Sequence, residues 1–129
     1  MVIKAGDFDW QSIERQDYKN EPGTWMDVSR RVLFSSEYSQ FETRYFEVAE
    51  GGYTSLEHHQ HEHCVIVMRG RGEVRVGETV SEIGFGDVVH VGPHEVHQFR
   101  NSASEPFGIL CIVDKERDRP VLVGNEGAD

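Results

Sequence analysis

Short segments rich in β-branched and aromatic residues follow one another closely through most of this chain, and this spacing constrains the fold more than any other feature. These segments occupy residues 28–34, 41–48, 53–68, 73–76, 79–83, 87–91, 96–100 and 107–113. Turn signals separate them, among them Gly51-Gly52, Gly77-Glu78 and Gly92-Pro93. Because no long segments of helical period alternate with them, the pattern predicts an all-β sandwich or barrel.

The length of 129 residues fits one domain of ordinary size. Residues 1–25 mix charges, aromatics and a Pro-Gly pair without a clear period, which predicts an N-terminal arm. Residues 26–115 are predicted to form the barrel domain. The polar residues 116–129 form a predicted C-terminal tail, in which 120–123 are able to add an edge strand.

Charge and hydrophobicity exclude several classes of partner. The chain has 13 basic and 23 acidic residues, so clustered phosphate contacts with nucleic acid are not expected. No apolar run approaches the roughly 20 residues of a membrane-spanning helix, and the N-terminus lacks an apolar signal-peptide core. We therefore expect a cytoplasmic protein with no membrane partner, whose two cysteines stay reduced.

All seven histidines lie between positions 58 and 97, and four of them fall within residues 58–63. If this segment is a regular strand, Glu57, His59, His61 and His63 share one face, which continues into valines. Burying those polar groups without partners would cost several kcal/mol. A metal ion would supply the missing partner, so the pattern predicts a metal site inside a barrel.

Two segments resemble the paired signature motifs of the cupin family, G-x5-H-x-H-x(3,4)-E-x6-G and G-x5-P-x-G-x2-H-x3-N. Gly52 opens the first motif and Gly70 closes it, while Gly86, His97 and Asn101 fit the spacing of the second. The resemblance covers residues 41–114 and is strongest to small, single-domain metal-binding cupins of the conserved-barrel type. It implies a double-stranded β-helix, which is a jelly-roll barrel.

The chain departs from the family motif at the ligand positions. His63 stands where the family has a glutamate, and the family's first histidine position falls on Glu57 or His58. The predicted metal ligands are Glu57, His59, His63 and His97. An alternative register uses His61 with His59 and Glu57, and leaves His63 beside the site. His90 and His94 match no ligand position.

Three imidazoles and one carboxylate are suitable ligands for one divalent metal ion. The ligand types are compatible with Fe, Mn, Ni, Co, Cu and Zn. The cupin resemblance favours iron or manganese. Strand alternation predicts four pocket residues: Arg44, Phe99, Ile109 and Cys111. A carboxylate substrate is one candidate partner for Arg44, and a buried internal acid is the other.

Such a site predicts a dioxygenase, isomerase or lyase acting on a small oxygenated organic acid or enol. The alternative function is a non-catalytic module that binds a metal or a small ligand. Residues 64–68 are apolar on both faces of their strand, so a second covering layer is needed. The N-terminal arm or a second subunit would supply it, and we expect a homodimer.

Overall fold

The computed structural model describes residues 1–18 and 24–124, and in these ranges the chain forms strands and no helix. Parts of the predicted arm and tail, residues 19–23 and 125–129, lie outside the described residues. The strands are β1 (Ala5–Gly6), β2 (Asp9–Trp10), β3 (Gln16–Asp17), β4 (Met26–Phe34), β5 (Phe41–Tyr53), β6 (Glu57–His58), β7 (His63–Arg69), β8 (Arg71–Val76), β9 (Thr79–Gly84), β10 (Val88–Val91), β11 (His97–Arg100), β12 (Phe107–Asp114) and β13 (Val121–Leu122).

Antiparallel pairing curls these strands into a barrel. One side runs in the order β10-β7-β12-β5-β4, and the other runs β9-β8-β11-β6-β13. Strand β5 joins the two sides, because its first part pairs with β12 and β4 while Tyr53 at its end pairs with Arg100 of β11. The predicted all-β fold, a double-stranded β-helix, is confirmed.

Alternation along the strands fills the barrel interior with apolar side chains. In β7 the side chains of Val65 and Val67 are fully buried, while Cys64, which points to the opposite face of the strand, is exposed. Val48 and Phe107 face the same interior and are also fully buried. Each such side chain stabilises the fold by about 1.5–3 kcal/mol relative to an exposed position.

The prediction of one continuous strand over 53–68 is wrong, because the chain leaves strand pairing between β6 and β7. The backbone amides of Gln60 and His61 donate to the carboxylate of Asp118, at 2.9 and 3.0 Å, instead of to a neighbouring strand. The carbonyl of His59 accepts from the backbone N–H of His94 at 2.7 Å. Strand alternation therefore does not set the direction of the histidines in this loop.

The N-terminal arm covers the outer face of β5. The rings of Trp10 and Phe8 lie 4.9 and 6.1 Å from the ring of Tyr45, which is fully buried. Strand β3 of the arm pairs with β4, and Trp25 belongs to the apolar core. The arm thus adds a layer over β5 and β4. The covering layer expected over residues 64–68 and the homodimer stay predictions.

The C-terminal tail returns to the barrel. Val121 and Leu122 pair with β6, so the edge strand expected near 120–123 is present, and the preceding residues cross one end of the barrel. Across residues 1–18 and 24–124 there is no helix of the length and apolarity that crossing a membrane requires.

Asn101, the last residue of the second motif, is buried and stabilises a loop by hydrogen bonds to its backbone. Its Nδ2 donates to the carbonyls of Val48 and Glu105 at 2.9 and 2.8 Å, and its Oδ1 accepts from the N–H of Ala103 at 2.9 Å. Asn101→Ala leaves these backbone groups without their partner, so urea unfolding should show a loss of about 2–3 kcal/mol. The exposed neighbour gives a matched control, since Ser102→Ala should change stability by less than about 0.5 kcal/mol. Equal stabilities of the two variants would contradict this role.

Candidate metal centre

Three histidines from separate elements meet at one end of the barrel. His59 lies in the loop after β6, His63 begins β7, and His97 begins β11. One ring nitrogen from each lies within 4.8 Å of the others, and the Nε2 atoms of His59 and His97 are 3.2 Å apart. His59 is 1% exposed and His97 is 4% exposed, so water does not solvate either ring freely.

Hydrogen bonds of the Nδ1 atoms, which point away from the centre of the group, fix the orientation of two of these rings. His59 Nδ1 lies 2.6 Å from the carbonyl oxygen of His61, and His97 Nδ1 lies 2.9 Å from that of Glu95. Because a carbonyl only accepts, each Nδ1 carries the proton, and each neutral ring has its lone pair on Nε2. Two lone pairs then face each other across 3.2 Å, an arrangement that a cation between them relieves. The donor chemistry fits a divalent metal ion.

Burial keeps these imidazoles neutral. Desolvation is the main cause that lowers the pKa of His59 to about 4 and that of His63 to about 2, with neighbouring histidines adding to it. Desolvation also lowers the pKa of His97. Metal binding at neutral pH would therefore displace no proton from these rings.

His61 adjoins the three-histidine group and is held by the C-terminal tail. Its ring stacks on that of His59 with centroids 3.7 Å apart, and its Nε2 lies 3.2 Å from His63 Nε2. Its Nδ1 lies 2.8 Å from Asp118 Oδ1. The structure thus places His63 inside the group and His61 against its edge.

Glu57 stands next to the group rather than within it. Its Oε1 lies 3.9 Å from His97 Nε2, while its Oε2 accepts a hydrogen bond of 2.5 Å from Ser55 Oγ. The Glu57 side chain is 10% exposed. A carboxylate in this position is close enough to serve as a fourth donor after a small change of rotamer.

The two remaining histidines of the second segment lie away from the group. His90 is 72% exposed in its side chain and pairs with Glu62 at 2.7 Å. His94 has a positive φ of 62° and contributes its backbone N–H to the His59 loop. Neither is among the described residues whose donor atoms converge.

Sequence reasoning missed Asp118. Its Oδ2 accepts from the backbone N–H of Gln60, and its Oδ1 accepts from the backbone N–H of His61 and contacts the His61 ring. These hydrogen bonds lower the pKa of the Asp118 carboxyl. A single aspartate in a polar tail, 57 residues from its partner His61, carries no pattern that would identify it.

A cavity of about 400 Å³ opens beside the histidine group and is lined by His61, His63 and His97. All four predicted pocket residues line it: Arg44, Phe99, Ile109 and Cys111. Further lining residues that the sequence did not indicate come from the arm, from the last residue of the barrel domain and from the tail, namely Tyr18, Trp25, Lys115, Arg117, Asp118, Arg119 and Pro120.

The charge of this cavity is opposite to that of the chain. Five of its lining residues are cationic, and they are Arg30, Arg44, Lys115, Arg117 and Arg119. Among the described residues that line it, only Glu57 and Asp118 are acidic, although the whole chain has a formal charge of −10. Electrostatics in the cavity therefore favour an anionic ligand.

Cys111 lies directly beside the histidine group. Its Sγ is 2.9 Å from His63 Nδ1, and burial is the main cause that raises the pKa of the thiol to about 11. Without a bound metal, Cys111 is therefore a neutral thiol at neutral pH.

The low pKa of His59 predicts how stability depends on pH. Between pH 6.5 and about pH 4, the unfolded chain takes up a proton at His59 that the folded chain does not. The free energy of unfolding of the metal-free protein should therefore fall as the pH is lowered, and His59 alone contributes roughly 2 kcal/mol of this fall between pH 6.5 and about pH 5. His63 and His97, whose pKa values are also lowered by burial, add to the fall. Urea titrations of the wild type and of His59→Gln test this, and identical pH slopes would contradict it.

A β-barrel with histidines directed toward an internal cavity defines a cupin with a candidate metal site. Residues 44–113 match the Cupin domain family, so the chain belongs to that family.

Among its relatives is the 1-methylthio-D-xylulose 5-phosphate methylsulfurylase of Rhodospirillum rubrum, which is 43% identical over 88% of this chain and 73% of the relative. A cupin 2 conserved barrel domain protein from Rhodopseudomonas palustris superimposes with a TM-score of 0.90 at 40% identity, over 95% of this chain and 86% of the other. A cupin-2 domain protein from Rhodospirillum rubrum gives a TM-score of 0.86 at 40% identity, over 95% and 82%.

Proposed function

We propose that this cupin is a metal-dependent enzyme that acts on a small phosphorylated keto sugar. Its metal ligands are His59, His63 and His97, with Glu57 as the fourth donor. The observation that carries the proposal is the pair of Nε2 lone pairs of His59 and His97, which face each other at 3.2 Å beside a cavity of about 400 Å³. The cupin resemblance favours iron or manganese, and a bound divalent ion would supply Lewis-acid polarisation of a substrate carbonyl.

The substrate class is supported by two independent features. The relative that is 43% identical is named for a methylthio-substituted ketose phosphate. The excess of cations in the cavity suits a phosphate group. A keto sugar offers a carbonyl and a neighbouring hydroxyl as oxygen donors, so this proposal favours carbonyl chemistry over the dioxygenase that the sequence left open.

The residues of the chain have separate roles in this proposal. His59 and His97 keep their Nε2 lone pairs toward the metal position because their Nδ1 atoms bond to carbonyls. The apolar walls of Phe99 and Ile109 limit the access of water to the bound substrate, and they offer a surface for an apolar substituent such as a methylthio group.

The test is to incubate the manganese- or iron-loaded protein with 1-methylthio-D-xylulose 5-phosphate and to follow substrate loss by NMR, with an oxygen electrode in the same vessel. We expect metal-dependent loss of substrate without oxygen uptake. His97→Ala should abolish the reaction, and His90→Ala should leave it unchanged, because His90 is exposed and away from the histidine group. Binding of the substrate without conversion would favour the non-catalytic module, and conversion by metal-free protein would contradict the proposal.

A further inference from the structure

Arg44 is a buried arginine in the wall of the cavity. It lies on β5 directly opposite Cys111 of β12, and the Cys111 thiol is in turn 2.9 Å from His63 Nδ1. The Arg44 side chain is 7% exposed, and it lines the cavity together with those two residues. The cavity wall beside the histidines thus contains a guanidinium.

The charge of Arg44 is not matched by the protein around it. Its Nε is buried and has no hydrogen-bond partner among the described residues. The carboxylate nearest to it, Glu42 Oε1, is 3.9 Å away and already accepts from Arg117 Nη1 at 2.9 Å. Two guanidinium groups therefore share one carboxylate, which leaves an excess positive charge at this side of the cavity.

A buried cation whose charge is only partly compensated is costly, and the other contacts of Arg44, a hydrogen bond to the neutral Cys111 thiol and a cation–π contact, offset little of the cost. Its Cζ lies 5.0 Å from the centroid of the Phe46 ring, a cation–π contact worth on the order of 1 kcal/mol. The charge also acts on the site, since Arg44 contributes to the lowered pKa of His63 and opposes the raised pKa of Cys111. An anion that bonds to the guanidinium would offset this cost.

We propose that Arg44 forms an anion-binding subsite that holds the charged group of the substrate, a phosphate monoester or a carboxylate, while the rest of the substrate reaches the histidines. A guanidinium presents paired N–H groups that match the oxygens of either anion. The inference rests on the proposed function for the identity of the ligand as a substrate. Anion binding itself is measurable without turnover, so the two are tested separately.

The experiment is a calorimetric titration of the full-length protein with inorganic phosphate and, separately, with acetate. Both titrations are run on metal-free and on metal-loaded protein, because a bound metal offers a second position for an anion. We expect one of the two anions to bind to the metal-free wild type, and the preferred one identifies the charged group. Arg44→Met should weaken this binding at least about tenfold. Arg44→Lys, which keeps the positive charge but lacks the paired N–H groups of the guanidinium, should weaken it less.

The control is Arg71→Met, which removes an exposed arginine from the other side of the barrel and should leave anion binding unchanged. Circular dichroism of each variant identifies any loss of fold, and Arg44→Lys then supplies the comparison if Arg44→Met does not fold. The inference is overturned if neither anion binds the metal-free wild type, if Arg44→Met binds as tightly as the wild type, or if Arg71→Met is equally impaired. Absence of turnover with the keto sugar phosphate would overturn the proposed function and leave this result standing.

Discussion

Replacing His59 with alanine should reduce the divalent metal bound by the protein from about one equivalent per chain to a trace. His59 is the least solvent-exposed of the three converging histidines, and its Nε2 faces that of His97 at 3.2 Å. The two histidines that remain would bind a divalent ion far more weakly. The measurement is elemental analysis of protein loaded with manganese or zinc and then freed of unbound metal by gel filtration.

His90→Ala is the matched control for this experiment. It also removes an imidazole from the histidine-rich part of the chain, but the side chain is 72% exposed and pairs with Glu62. We expect it to bind metal like the wild type. If the His59→Ala protein retains a full equivalent of metal, the metal does not bind at this cluster.

The second large effect concerns the fourth donor. Glu57→Gln should weaken metal affinity by on the order of a hundredfold, because it removes the negative charge that would neutralise part of the ion's charge next to His97. His61→Asn should weaken affinity by about tenfold or less, since His61 supports the group from its edge and its Nδ1 is occupied by Asp118. Competition with a metal-chelating dye measures both affinities under the same conditions.

A comparison of His61→Asn with His63→Asn decides between the two registers that the sequence allows. A greater loss in His61→Asn than in His63→Asn would support the register in which His61 binds the metal and His63 lies beside it. The structure favours the opposite order, because it is the donor atom of His63 that lies within 4.8 Å of those of both His59 and His97.

Much of the barrel follows from short-range patterns in the sequence. The segments predicted at 28–34 and 107–113 correspond to β4 and β12 within two residues at each end, since alternating apolar side chains between turn signals specify both the strand and its buried face. The prediction of one strand over 53–68 was wrong, because a side chain from the tail stabilises a loop between β6 and β7. A contact between residues 60 and 118 leaves no trace in local periodicity.

In the candidate site, too, the sequence motif predicts some residues, while the positions of others depend on contacts between distant parts of the chain. Cupin spacing identified His59, His63 and His97 as candidates, and the structure brings their rings together. Strand alternation does not explain why His59 and His63 point the same way, because His59 lies in a loop and is positioned by the backbone of His94. The cationic residues of the tail were missed, since their place in the cavity depends on the return of β13 to β6.

X-ray absorption spectroscopy of the zinc-loaded protein tests directly whether the three histidines bind the metal ion. If the three imidazoles bind the ion through Nε2, the spectrum will show nitrogen neighbours at about 2.0–2.1 Å with the outer-shell scattering of about three imidazole rings. A spectrum with oxygen neighbours alone, and no imidazole scattering, would show that the converging histidines do not hold the metal.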